Sequence, residues 1–181
     1  MNKRTAPYAL LLAALLGLSQ GKKKDDPDPA GQLPPATQNG ANTVGCLLNG
    51  QAWAPSGNGN SKNFFIDYDT GYPGGLFNMT VDRYLDNTPN GYQYLSVYVN
   101  PMPQTGIYDL SNLTQTRVSF SNRSVGCSYE SRDSGTYCRG KITITRLDTQ
   151  ARIISGTFEF TLAKPGCDTL KFTQGRFDKK L

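Results

Sequence analysis

From residue 43 onward the apolar and polar positions alternate with a period of two. Ser155, Thr157, Glu159 and Thr161 interleave with Ile154, Gly156, Phe158, Phe160 and Leu162, and Phe77, Met79 and Val81 interleave with Asn78, Thr80 and Asp82. Such alternation marks strands with one buried and one solvated face. Shorter runs of the same kind cover 46–48, 51–54, 63–68, 92–100, 106–110, 117–121, 137–145 and 168–173. Turn residues separate them: Asn49-Gly50 and Asn90-Gly91 suit positive-φ hairpin turns, and Tyr72-Pro73-Gly74-Gly75, Pro101-Met102-Pro103 and Lys164-Pro165-Gly166 read as loops. No helical stripe follows the first twenty residues. The pattern predicts one all-β domain over 43–181, with about nine or ten antiparallel strands forming a meander barrel or a two-sheet β-sandwich.

One break in the alternation is informative. Leu170 and Phe172 share a face, but Phe177 is an odd number of residues further on, so a regular strand would turn it away. A β-bulge at Gln174-Gly175 restores it to the same side.

The segment before the domain is built differently. Lys3 and Arg4 precede an apolar run from Ala9 to Leu18, too short to span the ~30 Å hydrocarbon layer, and Ser19 and Gly21 offer small residues for cleavage. Residues 1–21 therefore read as a signal peptide, and the protein is predicted to be exported: periplasmic, cell-surface or extracellular. Residues 22–42, rich in Pro, Asp and Lys with Leu33 the sole large apolar residue, read as a disordered linker. No transmembrane domain is predicted. The junction resembles a bacterial lipoprotein signal, but Gly21 stands where that signal has its acylated Cys, and a lipid anchor is not expected.

Cysteine and histidine usage then narrows the chemistry. Cys46, Cys127, Cys138 and Cys167 form an even set with no Cys-x-x-Cys spacing, which in an exported chain reads as disulfides rather than as a zinc site. Three pairings exist. Cys127–Cys138 and Cys46–Cys167 is favoured, because the first pair flanks the turn-rich 131–135 segment of an apparent hairpin and the second would tie the first strand to the last hairpin. The chain has no His, which removes the common hydrolase triad and the usual catalytic zinc sites. No metal, cofactor or catalytic residue is assigned. Asp67 and Asp69 lie on one side of a strand but read as a strand end with an Asx turn into Thr70-Gly71. Glu130 and Glu159, with the aspartates, leave a carboxylate glycosidase as a distant alternative.

Tyrosines are the better lead. Tyr92, Tyr94 and Tyr98 share one face of a strand whose other face is Leu95, Val97 and Val99. In a barrel they would line a cavity holding a small ligand; in a sandwich they would form an exposed platform suited to a glycan or an envelope protein. Cross-strand packing on a sheet surface competes with either role, and Tyr84, Tyr108 and Trp53 carry the same ambiguity. The formal charge of +5 includes Lys3 and Arg4 of the leader. Arg117, Arg123, Arg132 and Arg139 are dispersed among strands and turns, so they predict a solvated face rather than a patch, and no nucleic-acid motif is present.

Leu33-Pro34-Pro35-Ala36-Thr37 before Gly45-Cys46-Leu47-Leu48-Asn49-Gly50-Gln51-Ala52-Trp53, and the ending Ile154-Ser155-Gly156-Thr157-Phe158-Glu159-Phe160 with Gly175-Arg176-Phe177-Asp178, resemble small exported β-domains of Bacteroidetes, many of them uncharacterised lipoproteins. That resemblance implies no activity. A weaker similarity is to lipocalin-like barrels, whose first strand carries Gly-x-Trp, although Gly50 and Trp53 are one residue too far apart. The sequence thus predicts an exported, non-catalytic binding or structural module whose ligand it does not name.

Overall fold

The computed structural model describes residues 28–57, 63–85 and 89–181. The leader, Gly21 and the first part of the linker lie outside the described residues. Eleven strands follow among those described: β1 (Thr43–Leu48), β2 (Gln51–Trp53), β3 (Phe64–Asp69), β4 (Leu76–Tyr84), β5 (Tyr92–Val99), β6 (Gly106–Asp109), β7 (Thr116–Asn122), β8 (Cys127–Glu130), β9 (Tyr137–Asp148), β10 (Ile153–Ala163) and β11 (Leu170–Lys180). They form two antiparallel sheets, one in the order β2-β1-β11-β10-β9-β6 and one in the order β3-β4-β5-β7-β8. The sheets are not closed into a barrel, so of the two predicted architectures the arrangement is that of the β-sandwich. No helix among the described residues is long and apolar enough to cross a membrane.

The period-two pattern becomes the core directly. Phe77, Met79 and Val81 of β4, Leu95, Val97 and Val99 of β5, and Val118 and Phe120 of β7 face Ile154, Phe158, Phe160 and Leu162 of β10 and Phe172 and Phe177 of β11. Phe172 is the centre of an aromatic group, its ring 4.4 Å from Phe160 and 5.3 Å from Phe120. Trp53 belongs here too. It is 1% exposed, and its indole N–H donates to the buried Gln93 side-chain carbonyl at 2.8 Å, which satisfies two polar groups that burial would otherwise penalise.

Turn chemistry is followed in part. Asn49 and Gly50 both take positive φ between β1 and β2, as the hairpin reading requires. Asn90-Gly91 instead falls in a 3-10 turn at Pro89–Gly91, so β4 and β5 are not joined by a tight primed turn. The break in β11 is real: register shifts opposite Phe158 and Phe160, and both Phe172 and Phe177 reach the core. The positive φ belongs to Gln174 rather than to Gly175. Gly175 is required for space, since a Cβ there would lie 2.4 Å from the Phe158 ring.

Two expectations change. Cys127 is bonded to Cys167, with Cα atoms 6.0 Å apart, and Cys46 and Cys138 are free thiols. The pairing Cys127–Cys138 fails because the apparent hairpin is a crossover: β8 is an edge of the smaller sheet and β9 belongs to the larger one. Cys46–Cys167 fails because Cys167, in the loop before β11 begins, is taken by Cys127, while Cys46 is a buried thiol level with the bulge of β11, between the partners of Gly45 and Leu47.

Residues 28–42, read from composition as part of a disordered linker, are placed as an arm over the outer face of the larger sheet. A short 3-10 turn at Pro29–Gln32 leads to Leu33, which is buried. Pro34 packs on Gly45, where any Cβ would meet it at 2.8 Å. The buried Asp178 carboxylate then accepts hydrogen bonds from Thr37 Oγ1 (2.6 Å), Asn39 N (3.0 Å), Gly40 N (2.8 Å), Ala41 N (3.0 Å) and Ser155 Oγ (2.8 Å).

Candidate binding face

The alternation that buries Gln93, Leu95, Val97 and Val99 turns Tyr92, Tyr94, Ser96 and Tyr98 to the outside of the smaller sheet, where each is half-buried. Neighbouring strands present their own outward residues in register. One row runs Asp67, Asn78, Tyr98, Arg117; the next runs Phe65, Thr80, Ser96, Ser119, Glu130; the third runs Asp82, Tyr94, Ser121, Ser128. Tyr94 and Tyr98 are four residues apart on one strand, about 14 Å at the ~3.4 Å rise of an antiparallel strand. Between their rings lie only the small side chains Thr80, Ser96 and Ser119, so the middle row is a shallow trough of hydroxyls bounded by two phenols.

The polar groups around the trough are partly engaged with each other. Ser119 Oγ donates to Glu130 Oε2 at 2.6 Å, and Arg117 Nε pairs with Glu130 Oε1 at 3.0 Å. Ser96 Oγ donates to Asn78 Oδ1 at 3.4 Å. No hydrogen bond reaches the Tyr94 or Tyr98 hydroxyl among the described residues.

Tyr92 differs from the other two. Its hydroxyl donates to Asp82 Oδ1 at 2.5 Å, its ring lies 5.0 Å from that of its cross-strand partner Tyr84, and the Arg123 guanidinium sits 4.8 Å from its ring centroid. Burial, followed by the hydrogen bond to Asp82 and that carboxylate's charge, pushes the phenol well above its ordinary range. It is held as a neutral packed ring that fixes Asp82 beside Tyr94. Of the three tyrosines expected to form a platform, two present unclamped rings and the third braces the edge. Arg123 was not assigned that bracing role from sequence, since it lies in a 3-10 turn after β7 with no strand register to connect it to β5.

Other candidates disperse. Asp69 Oδ1 accepts from Gly71 N at 2.7 Å, the Asx turn expected of it. Glu130 is on the outer face of the smaller sheet and Glu159, paired with Lys141 at 3.1 Å, is on the outer face of the larger one. These two therefore cannot flank one glycosidic bond. The outer face of the larger sheet has a cleft of about 510 Å³ lined by Ala36, Lys141, Thr157, Glu159 and Arg176, but its one aromatic, Phe158, is 2% exposed. Arg132 Nε is bound to Thr116 O at 3.3 Å, and Tyr108 donates to Gln104 O at 2.6 Å.

The family model described as Domain of unknown function (DUF6252) matches residues 87–179, which take in β5 with its tyrosines and every later strand nearly to the end of β11. No curated protein and no solved structure matches the chain.

Proposed function

The chain belongs to the DUF6252 family, to which no function attaches, and on the geometry of its outer face we propose that it is an exported, non-catalytic module that holds an extended glycan. The observation that carries this reading is the pair of outward, unclamped rings of Tyr94 and Tyr98 on either side of a hydroxyl-lined trough. A sugar ring offers C–H groups on its faces and hydroxyls around its rim. Tyrosine faces receive the former, while Asn78, Thr80, Ser96 and Ser119 exchange hydrogen bonds with the latter. A flat sheet binds a chain of sugars along its length rather than a single ring in a pocket, and its rigidity limits the ordering entropy lost on binding. The leader pattern and the Cys127–Cys167 bridge support an oxidising, exported location.

Tyr94→Ala and Tyr98→Ala test it. Half-buried surface rings should cost under about 1 kcal/mol each in stability, and both variants should lose retardation in affinity gels cast with cell-envelope polysaccharides. Losses of roughly 3 kcal/mol with retardation unchanged would make the rings structural and end the platform reading.

A further inference from the structure

The tyrosine trough is not electrically even along its length. Its two ends are marked by Tyr94 and Tyr98, whose direct cross-strand neighbours differ: Asp82 and Ser121 flank Tyr94, whereas Asn78 and Arg117 flank Tyr98. Arg117 is the one cation that a strand presents on this face among the described residues, and Glu130 matches it at 3.0 Å. Asp82 has no such match. Its Oδ1 accepts from the Tyr92 hydroxyl, while its Oδ2 has no hydrogen bond and no cation within ion-pair distance among the described residues.

The cations at the rim are engaged elsewhere. Arg123 lies over the face of the Tyr92 ring, 4.8 Å from its centroid, and Lys164 Nζ donates to Ser128 O at 2.9 Å on the far edge strand. On the near edge strand Asp67 and Asp69 add two more carboxylates to the same face, and Asp69 is taken up in its Asx turn. The half of the face built from β3 and β4 is therefore anionic, and it disfavours a carboxylated or sulfated chain. A tyrosine ring beside a carboxylate with one oxygen free suits an ammonium group: the ring face attracts the cation, and the oxygen accepts one of its three N–H groups.

Resting on the glycan reading, we propose that the sugar seated on Tyr94 is an amino sugar with an unacetylated nitrogen, whose ammonium group donates to Asp82 Oδ2 against the Tyr94 ring. Asp82 is then the residue that sets specificity. Tyr92 is a positioning residue, because its O–H holds Oδ1 and leaves Oδ2 to the ligand. The Tyr98 end, with Asn78 and the paired Arg117, receives the uncharged hydroxyls of the next sugars.

The probes are a β-1,4-linked glucosamine tetramer and its fully N-acetylated counterpart, of equal length and linkage. Each is titrated into the isotope-labelled protein at about pH 6, where the amines are charged and the carboxylates ionised, and read by amide chemical shifts. The amine tetramer should bind at least about fivefold more tightly, with the largest shifts at 82, 92–94 and 121. Asp82→Asn keeps an acceptor oxygen for Tyr92 and should bring the two affinities together, whereas Asp67→Asn should narrow the gap by less. Tetralysine, which has the charge without the sugar, should bind more weakly than the amine tetramer. The proposal is overturned if the acetylated tetramer binds as well or better, if the preference survives in Asp82→Asn or falls equally in Asp67→Asn, or if tetralysine binds as tightly. In each of those cases loss of tetramer binding in Tyr94→Ala would leave the platform reading standing. Binding of neither tetramer at millimolar concentration would also overturn the proposal, and polysaccharide gel retardation then judges the platform separately.

Discussion

At the scale of single residues, Asp178 has the most concentrated chemistry in the molecule. Burial alone would raise its carboxyl; the hydrogen bonds from Thr37, Ala41, Ser155 and Gly40 outweigh it and hold the group well below the usual carboxylate range. A carboxyl depressed in the folded state stabilises fully above its unfolded value of about 3.9, and that contribution is lost as pH falls toward the folded value. Asp178→Asn replaces one acceptor oxygen with a donor facing the N–H groups of the arm. It should cost roughly 2–4 kcal/mol at neutral pH, and the gap in Tm between the two proteins should narrow between pH 7 and pH 3. A gap that stays constant over that range would mean the arm does not depend on the charge. The free thiols make a second residue-scale case: burial raises both Cys46 and Cys138 to about 12, with Arg83 opposing at Cys46 and the Asp109 and Glu130 charges adding at Cys138. Two thiols per chain should react with a disulfide reagent in denaturant, and neither promptly in the folded protein.

At the scale of elements, the bulge in β11 depends on Gly175. A Cβ there would sit 2.4–2.5 Å from the Phe158 ring and from Phe158 O, so Gly175→Ala should destabilise by about 1–3 kcal/mol in chemical denaturation; a neutral result would mean that β10 and β11 can separate locally without cost. This bulge was legible because Phe172 and Phe177 could not otherwise share a face, and β4, β5 and β10 were legible because burial of one face enforces a period of two. β8 was not. It has four residues, only Tyr129 of them buried, and a strand so short leaves no periodicity to detect. Missing it made 127–138 look like one hairpin, and the disulfide pairing followed the error. The arm was illegible for a different reason: its order comes from a carboxylate 137–141 residues away, while its own composition lacks the apolar content of a core segment. Of the platform, the sharing of a face by Tyr92, Tyr94 and Tyr98 was readable from spacing, but the clamping of Tyr92 by Asp82 and Arg123 required the neighbouring strand and turn to be placed.

At the scale of the whole molecule, the Cys127–Cys167 bridge joins the edge of the smaller sheet to the loop that enters the larger one. It closes a loop of 40 residues, which in the chain-entropy account contributes at most about 4 kcal/mol. Reduction, or Cys127→Ser with Cys167→Ser, should therefore lower the Tm by roughly 10 °C while leaving the tyrosine face intact; an unchanged Tm would show that the unfolded chain gains nothing from release of the bridge. The arm has a consequence of another kind. It lies on the larger sheet on the side opposite the tyrosines, beginning at Asp28 among the described residues. A tether attached there would make the larger sheet the underside of the molecule and aim Tyr94 and Tyr98 outward. The Asp178 latch thereby gives the domain a front and a back, with the arm held on one and Tyr94 and Tyr98 presented on the other.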